Sequence, residues 1–338
     1  MTDPDRDFTW RDGERTVRFA RGAVGEAPAL LDRAGFHDFA LLTTARAELA
    51  APSLVAAAAL VLHVPHGSVP EAAAAVRGSV GGRSLVALGG GRVIDAAKGI
   101  GAADGLAVAA VPTTLSGAPM TTMHRLPAGV EGVRNIRPRL VAFDPGVAAS
   151  QPDAELAASA MNALAHAAES LYGPWRSPVT DAAGLRAARA IHDALAGAEV
   201  ERDEAALGAL LAGYAVGSAG IALHHVLCQT LVRITGLPHA KAYTAMLPHT
   251  VAFMADRAPR AMAGLAAALG EAASADAAGH AVAALAARAE IPGLDALGVD
   301  PDGLDEVVEA TLARSDLAHT PGPPVTAGDL RRLLEAGR

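Results

Sequence analysis

The sequence predicts two domains of different class: an α/β domain with a parallel sheet over residues 1–150 and an all-helical domain over residues 151–338. In the first part, short apolar runs alternate with helical stretches, which is typical of strands covered by helices on both faces. In the second part, apolar residues recur at three- and four-residue spacing and no convincing strand remains, which predicts amphipathic helices. A length of 338 residues suits two such domains.

Each element follows from its local pattern. Near-continuous apolar runs predict strands at FALLTT (39–44), VLHV (61–64), SLVAL (84–88), LAVAAVP (106–112) and RLVAFD (139–144). Alanine-rich segments between them predict helices at PEAAAAVRGSV (70–80) and RVIDAAKGIGAA (92–103). Helical spacing in the second part covers 154–172, 178–196, 205–234, 259–271 and a last short helix at 327–336.

Composition excludes several classes of protein. A net charge of −8 without a block of Lys or Arg argues against a nucleic-acid surface, although local arginines can still bind a small anion. The charged N-terminus is neither a signal nor a transit peptide, and the apolar runs are too short to cross a membrane. The single cysteine, Cys228, excludes an internal disulfide and indicates a reducing, cytoplasmic location.

A triple-glycine turn separates a predicted strand from a predicted helix in SLVALGGGRVIDAAKG. Gly89, Gly90 and Gly91 allow backbone N–H groups to approach a phosphate, and the helix N-terminus adds the positive end of its dipole. Because Ile94 stands where G-x-G-x-x-G needs its last glycine, this is not the common dinucleotide fingerprint. The alternative is a tight turn without a ligand.

A second polar loop, VPTTLSGAPMTT (111–122), follows another predicted strand. Ligands of open α/β sheets bind at the carboxyl ends of the strands, where hydroxyl groups can reach a phosphate or a ribose. Taken alone, this loop is also compatible with ordinary turn chemistry. Two such loops together favour a nucleotide site.

The helical part carries a candidate metal site. Asn162, His166 and Glu169 share one face of a predicted helix, His225 and Gln229 stand one turn apart, and His239 follows a break at Gly-Leu-Pro. Imidazole and amide groups in this pattern could hold Zn²⁺ or Fe²⁺. Alternatively, each histidine is a hydrogen-bonded core residue, and His224 is expected to point to a different face.

These motifs resemble the iron-containing (group III) alcohol dehydrogenase superfamily and, within it, the maleylacetate reductase branch. GGGRVIDAAK is similar to the pyrophosphate loop, VPTTLSGAPMT to the second nucleotide loop, and MNALAHAAESLYG and HHVLCQTL…LPHAKAYTAMLPH to the helical motifs. The resemblance covers nearly the whole chain. It implies a dehydroquinate synthase-like fold, with a Rossmann-like dinucleotide-binding domain, a helical domain and an active site in the cleft between them.

The resemblance also implies roles for individual residues. Those around NAD(H) or NADP(H) would be Gly89, Gly90, Gly91, Asp95, Lys98, Thr113, Thr114, Ser116 and Thr44. Thr44 replaces an aspartate that NAD-preferring members carry, so NADPH is allowed. The four metal positions of the superfamily would fall on Asn162, His166, His225 and His239. Because Asn162 brings no negative charge, a weak zinc or iron site and a metal-free pocket both remain open.

The chain departs from the family at functional positions. Gln229 and Tyr243 stand where the branch has histidines, and Val232-Arg233 replaces Gly-Gly. Tyr243 is therefore the expected acid, with His239 as the alternative donor, while Gln229 can orient a carbonyl group. Arg233 is the first candidate to hold a substrate carboxylate; the other candidates are Arg125, Arg134 and Arg137.

The function implied is an NAD(P)H-dependent reductase of a small, anionic carbonyl or keto-acid compound, working as a cytoplasmic homodimer. Besides a non-catalytic binding protein, two alternatives remain open. One is a repurposed superfamily member that catalyses a different step, with or without net redox chemistry. The other is a lyase or cyclase of the dehydroquinate synthase kind, whose richer Lys, Glu and His site is not evident here.

Overall fold

A computed structural model describes residues 6–132 and 135–338. The chain forms two compact units, Met1–Gln151 and Pro152–Arg338. Within the described ranges, no single helix is long and apolar enough to cross a membrane; one pair of helices, bent by 102°, reaches that length and apolar character only when the two are taken together.

The first unit contains one seven-stranded sheet in the order β1-β2-β7-β6-β5-β3-β4. Its strands are β1 Phe8–Asp12, β2 Arg15–Phe19, β3 Ala40–Thr43, β4 Leu60–His63, β5 Leu85–Gly89, β6 Val108–Pro112 and β7 Leu140–Phe143. The hairpin of β1 and β2 is antiparallel, and every other pairing is parallel. The parallel sheet predicted from the sequence is confirmed.

Helices cover both faces of this sheet. They are α1 Ala23–Arg33, α2 Ala45–Glu48, α3 Pro52–Ala57, α4 Val69–Arg77, α5 Gly91–Asp104 and α6 Pro145–Ala148. Alternate residues of one strand enter opposite cores because side chains of a strand point to alternate faces: Leu85 and Ala87 pack with α4 and α5, whereas Val86 and Leu88 pack with α1 and α3. Burial on both faces explains why these strands are apolar throughout.

The prediction missed the first hairpin. The segment Arg15–Phe19 alternates between buried and partly buried residues, but its arginines conceal that alternation in a charged N-terminal region. Arg15 is itself buried, donating to the carbonyl of Met120 and to Asp12. A paired arginine can therefore occupy a core position that sequence patterns assign to solvent.

The described residues of the second unit form helices joined by loops, without a strand. Its α-helices are α7 Asp153–Ser170, α8 Pro178–Ala196, α9 Arg202–Ala219, α10 Leu223–Thr235, α11 His239–Met254, α12 Pro259–Ala268, α13 Ala275–Arg288, α14 Leu304–Leu312 and α15 Ala327–Ala336, with 3₁₀ turns at Pro301–Gly303 and Ser315–His319. Capping boxes at Ser177 and Thr326 begin α8 and α15. The helices predicted at 178–196 and 327–336 match α8 and α15 at both ends.

One predicted helical stretch, 205–234, is two helices. The chain bends by 102° between α9 and α10, at Gly220, whose φ is +81°. A side chain at this glycine would also meet the ring of Trp175 at 2.9 Å. The break predicted at Gly-Leu-Pro is present, since α10 ends before Gly236 (φ +71°) and α11 begins at His239.

Candidate functional site

The triple-glycine turn lies at the carboxyl end of β5. Gly89 ends the strand, Gly90 is the N-cap of α5 and Gly91 is its first residue. No side chain caps this helix, so its first N–H groups are left for an external acceptor. The turn therefore fits a phosphate group.

The second polar loop contacts this turn directly. The N–H of Thr113 donates to the carbonyl of Gly89 at 3.0 Å. A Cβ at Gly90 would meet Thr114 Oγ1 at 3.2 Å, and a Cβ at Gly91 would meet Ser116 Oγ at 2.6 Å. The glycines thus allow the hydroxyl groups of the second loop to lie beside the first N–H groups of α5. The sequence predicted this arrangement because both loops follow the carboxyl ends of strands.

Lys98 is buried and bonded to the protein itself, whereas a lysine that binds phosphate needs a free ammonium group facing the ligand. Its side chain is fully buried, and its ammonium donates to the carbonyls of Ala118 (2.9 Å) and Met123 (2.7 Å) and pairs with Asp95 (2.8 Å). Burial lowers the pKa of Lys98, while the charge of Asp95 acts in the opposite direction. Lys98 holds the second loop in place, and contact of Lys98 or Asp95 with the cofactor stays a prediction.

Thr44 follows the last residue of β3 and begins α2. Its hydroxyl accepts from the N–H of Ala47 at 3.3 Å. This position is at the carboxyl end of β3, which is adjacent to β5. Because Thr44 carries no carboxylate, it would not repel a 2′-phosphate placed there.

In the second unit, three helices bring together a ring cluster, which consists of His166 on α7, His224 and His225 on α10, and His239 and Tyr243 on α11. The His166 and His225 rings stack with centroids 4.8 Å apart, and His239 stacks on Tyr243 at 3.9 Å. The expectation that His224 points elsewhere is wrong. Its ring lies 5.2 Å from that of Tyr243, and its Nδ1 is 2.8 Å from the hydroxyl of Thr250.

Several buried polar atoms of this region have no hydrogen-bond partner among the described residues. They are Asn162 Oδ1, His166 Nδ1, His225 Nε2 and the Tyr243 hydroxyl oxygen. Buried polar groups are normally satisfied, so a set of unsatisfied ones indicates a place for a polar ligand or water. Each of these residues was predicted as a site residue from the sequence.

The lowered pKa values of His166, His224 and His239 favour the neutral form of these three imidazoles. Burial lowers the pKa of His166 well below its usual value, and the neighbouring charge of His225 lowers it further. The pKa of His239 falls to about 4, first because burial of the ring against its neighbours removes water and second because of His225. His239 is exposed overall, but its stacking on Tyr243 covers one ring face.

Glu169 is a fully buried carboxylate on α7. Its Oε1 accepts from the backbone N–H of His225 at 3.2 Å, and its Oε2 contacts His225 Nδ1 at ion-pairing distance, outside hydrogen-bond angles. This contact leaves Nε2 as the nitrogen of His225 available to a ligand. The sequence placed Glu169 on the same helix face as His166, but its contact with α10 is tertiary.

The four predicted metal positions do not fit a metal ion in this structure. Among the described residues, no group of three or more His, Cys, Asp or Glu side chains is arranged to hold one. The rings of His166 and His225 stack on each other, 18° from parallel. Metal binding by Asn162, His166, His225 and His239 stays a prediction.

Tyr243 is fully buried, and its environment affects its acidity in two ways. Burial raises the pKa of its hydroxyl well above the ordinary value, and Cys228 and Glu169 raise it further. The charge of Arg314 and a contact with Gln229 act in the opposite direction. The raised pKa keeps Tyr243 protonated at neutral pH, so its hydroxyl is able to donate a hydrogen bond.

The arginines predicted to hold a carboxylate are dispersed. Arg233 and Arg125 are exposed, and Arg137 pairs with Asp12 and Glu14. Arg134 lies outside the described residues. The arginine close to both Tyr243 and Gln229 is Arg314. The sequence did not indicate it, because it lies 85 residues from Gln229 in the chain.

Comparison with known proteins identifies the family. Residues 156–336 match the family model for the C-terminal part of the Fe-containing alcohol dehydrogenase family, and residues 18–124 match that for iron-containing alcohol dehydrogenase. Among curated relatives, the maleylacetate reductase of Burkholderia cepacia is 34% identical over 272 residues, covering 76% of this chain and 74% of the relative.

Solved structures agree with this result. The crystal structure of maleylacetate reductase from Agrobacterium tumefaciens has a TM-score of 0.83 and 30% identity, covering 98% of this chain and 97% of that one. The maleylacetate reductase from Rhizobium sp. strain MTP-10005 has a TM-score of 0.84 at 30% identity, with the same coverage. This chain therefore belongs to the iron-containing alcohol dehydrogenase family and is an NAD(P)-dependent oxidoreductase.

Proposed function

We propose that the protein is a maleylacetate reductase-like enzyme, which uses NADH or NADPH to reduce a small keto acid whose double bond or keto group accepts a hydride. The curated relatives named above support this substrate class. They do not favour the alternative of a non-redox lyase or cyclase. The observation that carries the proposal is the set of buried, unsatisfied polar atoms around Tyr243.

The first unit would bind the dinucleotide. The N–H groups at the start of α5 and the hydroxyls of Thr114 and Ser116 would hold the pyrophosphate, since the glycines keep side chains out of this space. Reduced nicotinamide, when bound, supplies the hydride. Thr44 leaves room for either ribose form, so both nucleotides should be tested.

The second unit would act on the substrate. Hydride addition to a conjugated keto acid places negative charge on the carbonyl oxygen, which a neutral donor can stabilise. Tyr243 is the donor proposed for this oxygen, because burial keeps its hydroxyl protonated. Asn162 and His225 Nε2 are the other buried groups proposed to contact the substrate.

The test follows near-ultraviolet absorbance of NADH and NADPH in separate reactions with maleylacetate. Steady oxidation that depends on maleylacetate is expected. Tyr243→Phe should lower kcat by roughly a hundredfold or more if the hydroxyl donates in the transition state. Tyr214→Phe, which changes a tyrosine outside the ring cluster, is the matched control. Nucleotide binding without any maleylacetate-dependent oxidation would refute the proposed function.

We further propose that the protein acts as a homodimer in the cytoplasm. The buried thiol of the one cysteine, Cys228, supports a reducing compartment. Sedimentation would report a single species of twice the chain mass if the dimer forms, and a species of one chain mass if it does not.

A further inference from the structure

Gln229 is bound by an arginine from a distant part of the chain. The Oε1 atom of Gln229, in the middle of α10, accepts from Arg314 Nη1 at 2.8 Å. Arg314 lies just after α14, and its Nη2 donates to Asp316 at 2.9 Å. These two contacts hold the guanidinium group through both of its terminal nitrogens.

Arg314 retains binding capacity after these contacts. A guanidinium has five N–H donors in a rigid fork, and the contacts to Gln229 and Asp316 use only two of them. Its side chain is 27% exposed, so the charge is partly removed from water but reachable by a small molecule. Partial desolvation strengthens its attraction for an anion.

Gln229 connects this cation to Tyr243. The Tyr243 hydroxyl is buried, has no partner that meets hydrogen-bond geometry among the described residues, and lies close enough to Gln229 and Arg314 for both to act on it. A buried, unsatisfied hydroxyl and a fixed positive charge thus lie on either side of one amide. This combination suits a ligand with an oxygen to accept from Tyr243 and a carboxylate for Arg314.

An amide at position 229 suits this arrangement better than an imidazole. Glutamine offers its carbonyl oxygen to arginine at every pH. A histidine would lose its acceptor on protonation and place a second positive charge beside Arg314. The contact between residue 229 and the guanidinium therefore does not change with the protonation of that side chain, since glutamine does not titrate.

We propose that Arg314 binds a carboxylate of the substrate and that Gln229 is the positioning residue that orients its guanidinium beside Tyr243. This inference rests on the proposed function in that it takes the surroundings of Tyr243 as the substrate site. It assigns the carboxylate to Arg314 rather than to Arg233. The enzyme would accordingly discriminate against substrates that lack a carboxylate at this end.

The first test compares Arg314→Gln and Arg314→Lys with the wild type in maleylacetate reduction. Loss of a charged hydrogen bond should raise KM for maleylacetate by roughly tenfold to a hundredfold in Arg314→Gln, with KM for the nucleotide unchanged. Arg314→Lys keeps the positive charge but loses the two-pronged guanidinium group, so its KM for maleylacetate should lie between those of the wild type and Arg314→Gln. The control is Arg331→Gln, which removes an exposed arginine paired with Asp305 and should match the wild type.

The second test examines the positioning role of Gln229 by ligand binding alone, so its result does not depend on turnover. Titration calorimetry measures binding of glutarate, an unreactive dicarboxylate, to the full-length chain. Binding should weaken in Arg314→Gln and in Gln229→Leu but not in Arg331→Gln. Arg314→Lys serves if Arg314→Gln does not fold.

The outcomes distinguish this inference from the proposed function. Turnover of maleylacetate with an unchanged KM in both Arg314 variants would overturn the inference and leave the function standing. A wild-type protein that binds glutarate through Arg314 but does not turn over maleylacetate would support the carboxylate site while refuting that function.

Discussion

The buried Glu169 carboxylate offers a sharp test of the helical unit. We predict that Glu169→Gln destabilises the protein strongly, whereas the same change at Glu48 does not. Both glutamates contact a histidine: Glu48 lies 2.6 Å from His63, and Glu169 contacts His225. The pairs differ in burial, because the side chain of His63 is 55% exposed and that of His225 is 4% exposed.

The magnitude follows from the contacts of Glu169. A hydrogen bond or close polar contact to a buried charged group is worth about 1.5–3 kcal/mol, and Glu169 contacts both the backbone N–H and the ring of His225. Glutamine retains an oxygen for the N–H of His225, which preserves a hydrogen bond of about 1 kcal/mol. The expected loss of unfolding free energy is therefore about 2–4 kcal/mol for Glu169→Gln, against less than about 1 kcal/mol for the exposed pair of Glu48.

Urea unfolding followed by circular dichroism measures both variants against the wild type. The free-energy changes are compared from the midpoints at constant slope. Equal destabilisation by the two substitutions, or a gain in stability from Glu169→Gln, would refute the reasoning that the buried carboxylate holds α7 to α10.

Three further predictions concern the nucleotide loops, the last helix and metal binding. Gly91→Ala should weaken nucleotide binding by roughly tenfold or more, because its Cβ would meet Ser116 Oγ at 2.6 Å; unchanged affinity in a fluorescence titration would contradict this. The pKa of Asp329 is lowered from 3.8, chiefly by the backbone N–H of Thr326. The stability from this cap is therefore present above about pH 4 and is lost as the pH falls through the lowered pKa. The urea midpoints of the wild type and of Asp329→Asn should converge in acid. A difference in midpoint that persists there would contradict the assignment. Treatment with EDTA should leave the melting temperature unchanged, because no three His, Cys, Asp or Glu side chains among the described residues are arranged to hold a metal ion. A decrease reversed by zinc or iron would show that the cluster binds metal.

The core strands were predictable because each carries its own signal. A strand buried on both faces must be apolar at every position, as Leu85–Gly89 and Val108–Pro112 are. Helix ends were predictable where a local residue determines them, as Thr326 does for α15. The bend at Gly220 was not, because helical spacing continues through it and the fit against Trp175 is a tertiary contact.

Local patterns were enough to predict the strand-to-helix turn with its three glycines, the second polar loop and the spacing of the histidines along their helices. These features depend on backbone freedom and helical periodicity, which act over a few residues. The contacts between distant groups depend instead on how the helices pack: Lys98 binds the second polar loop, Glu169 contacts His225, and Arg314 contacts Gln229. Such pairings join residues far apart in the chain and require the packing of whole helices, which no short stretch of sequence encodes.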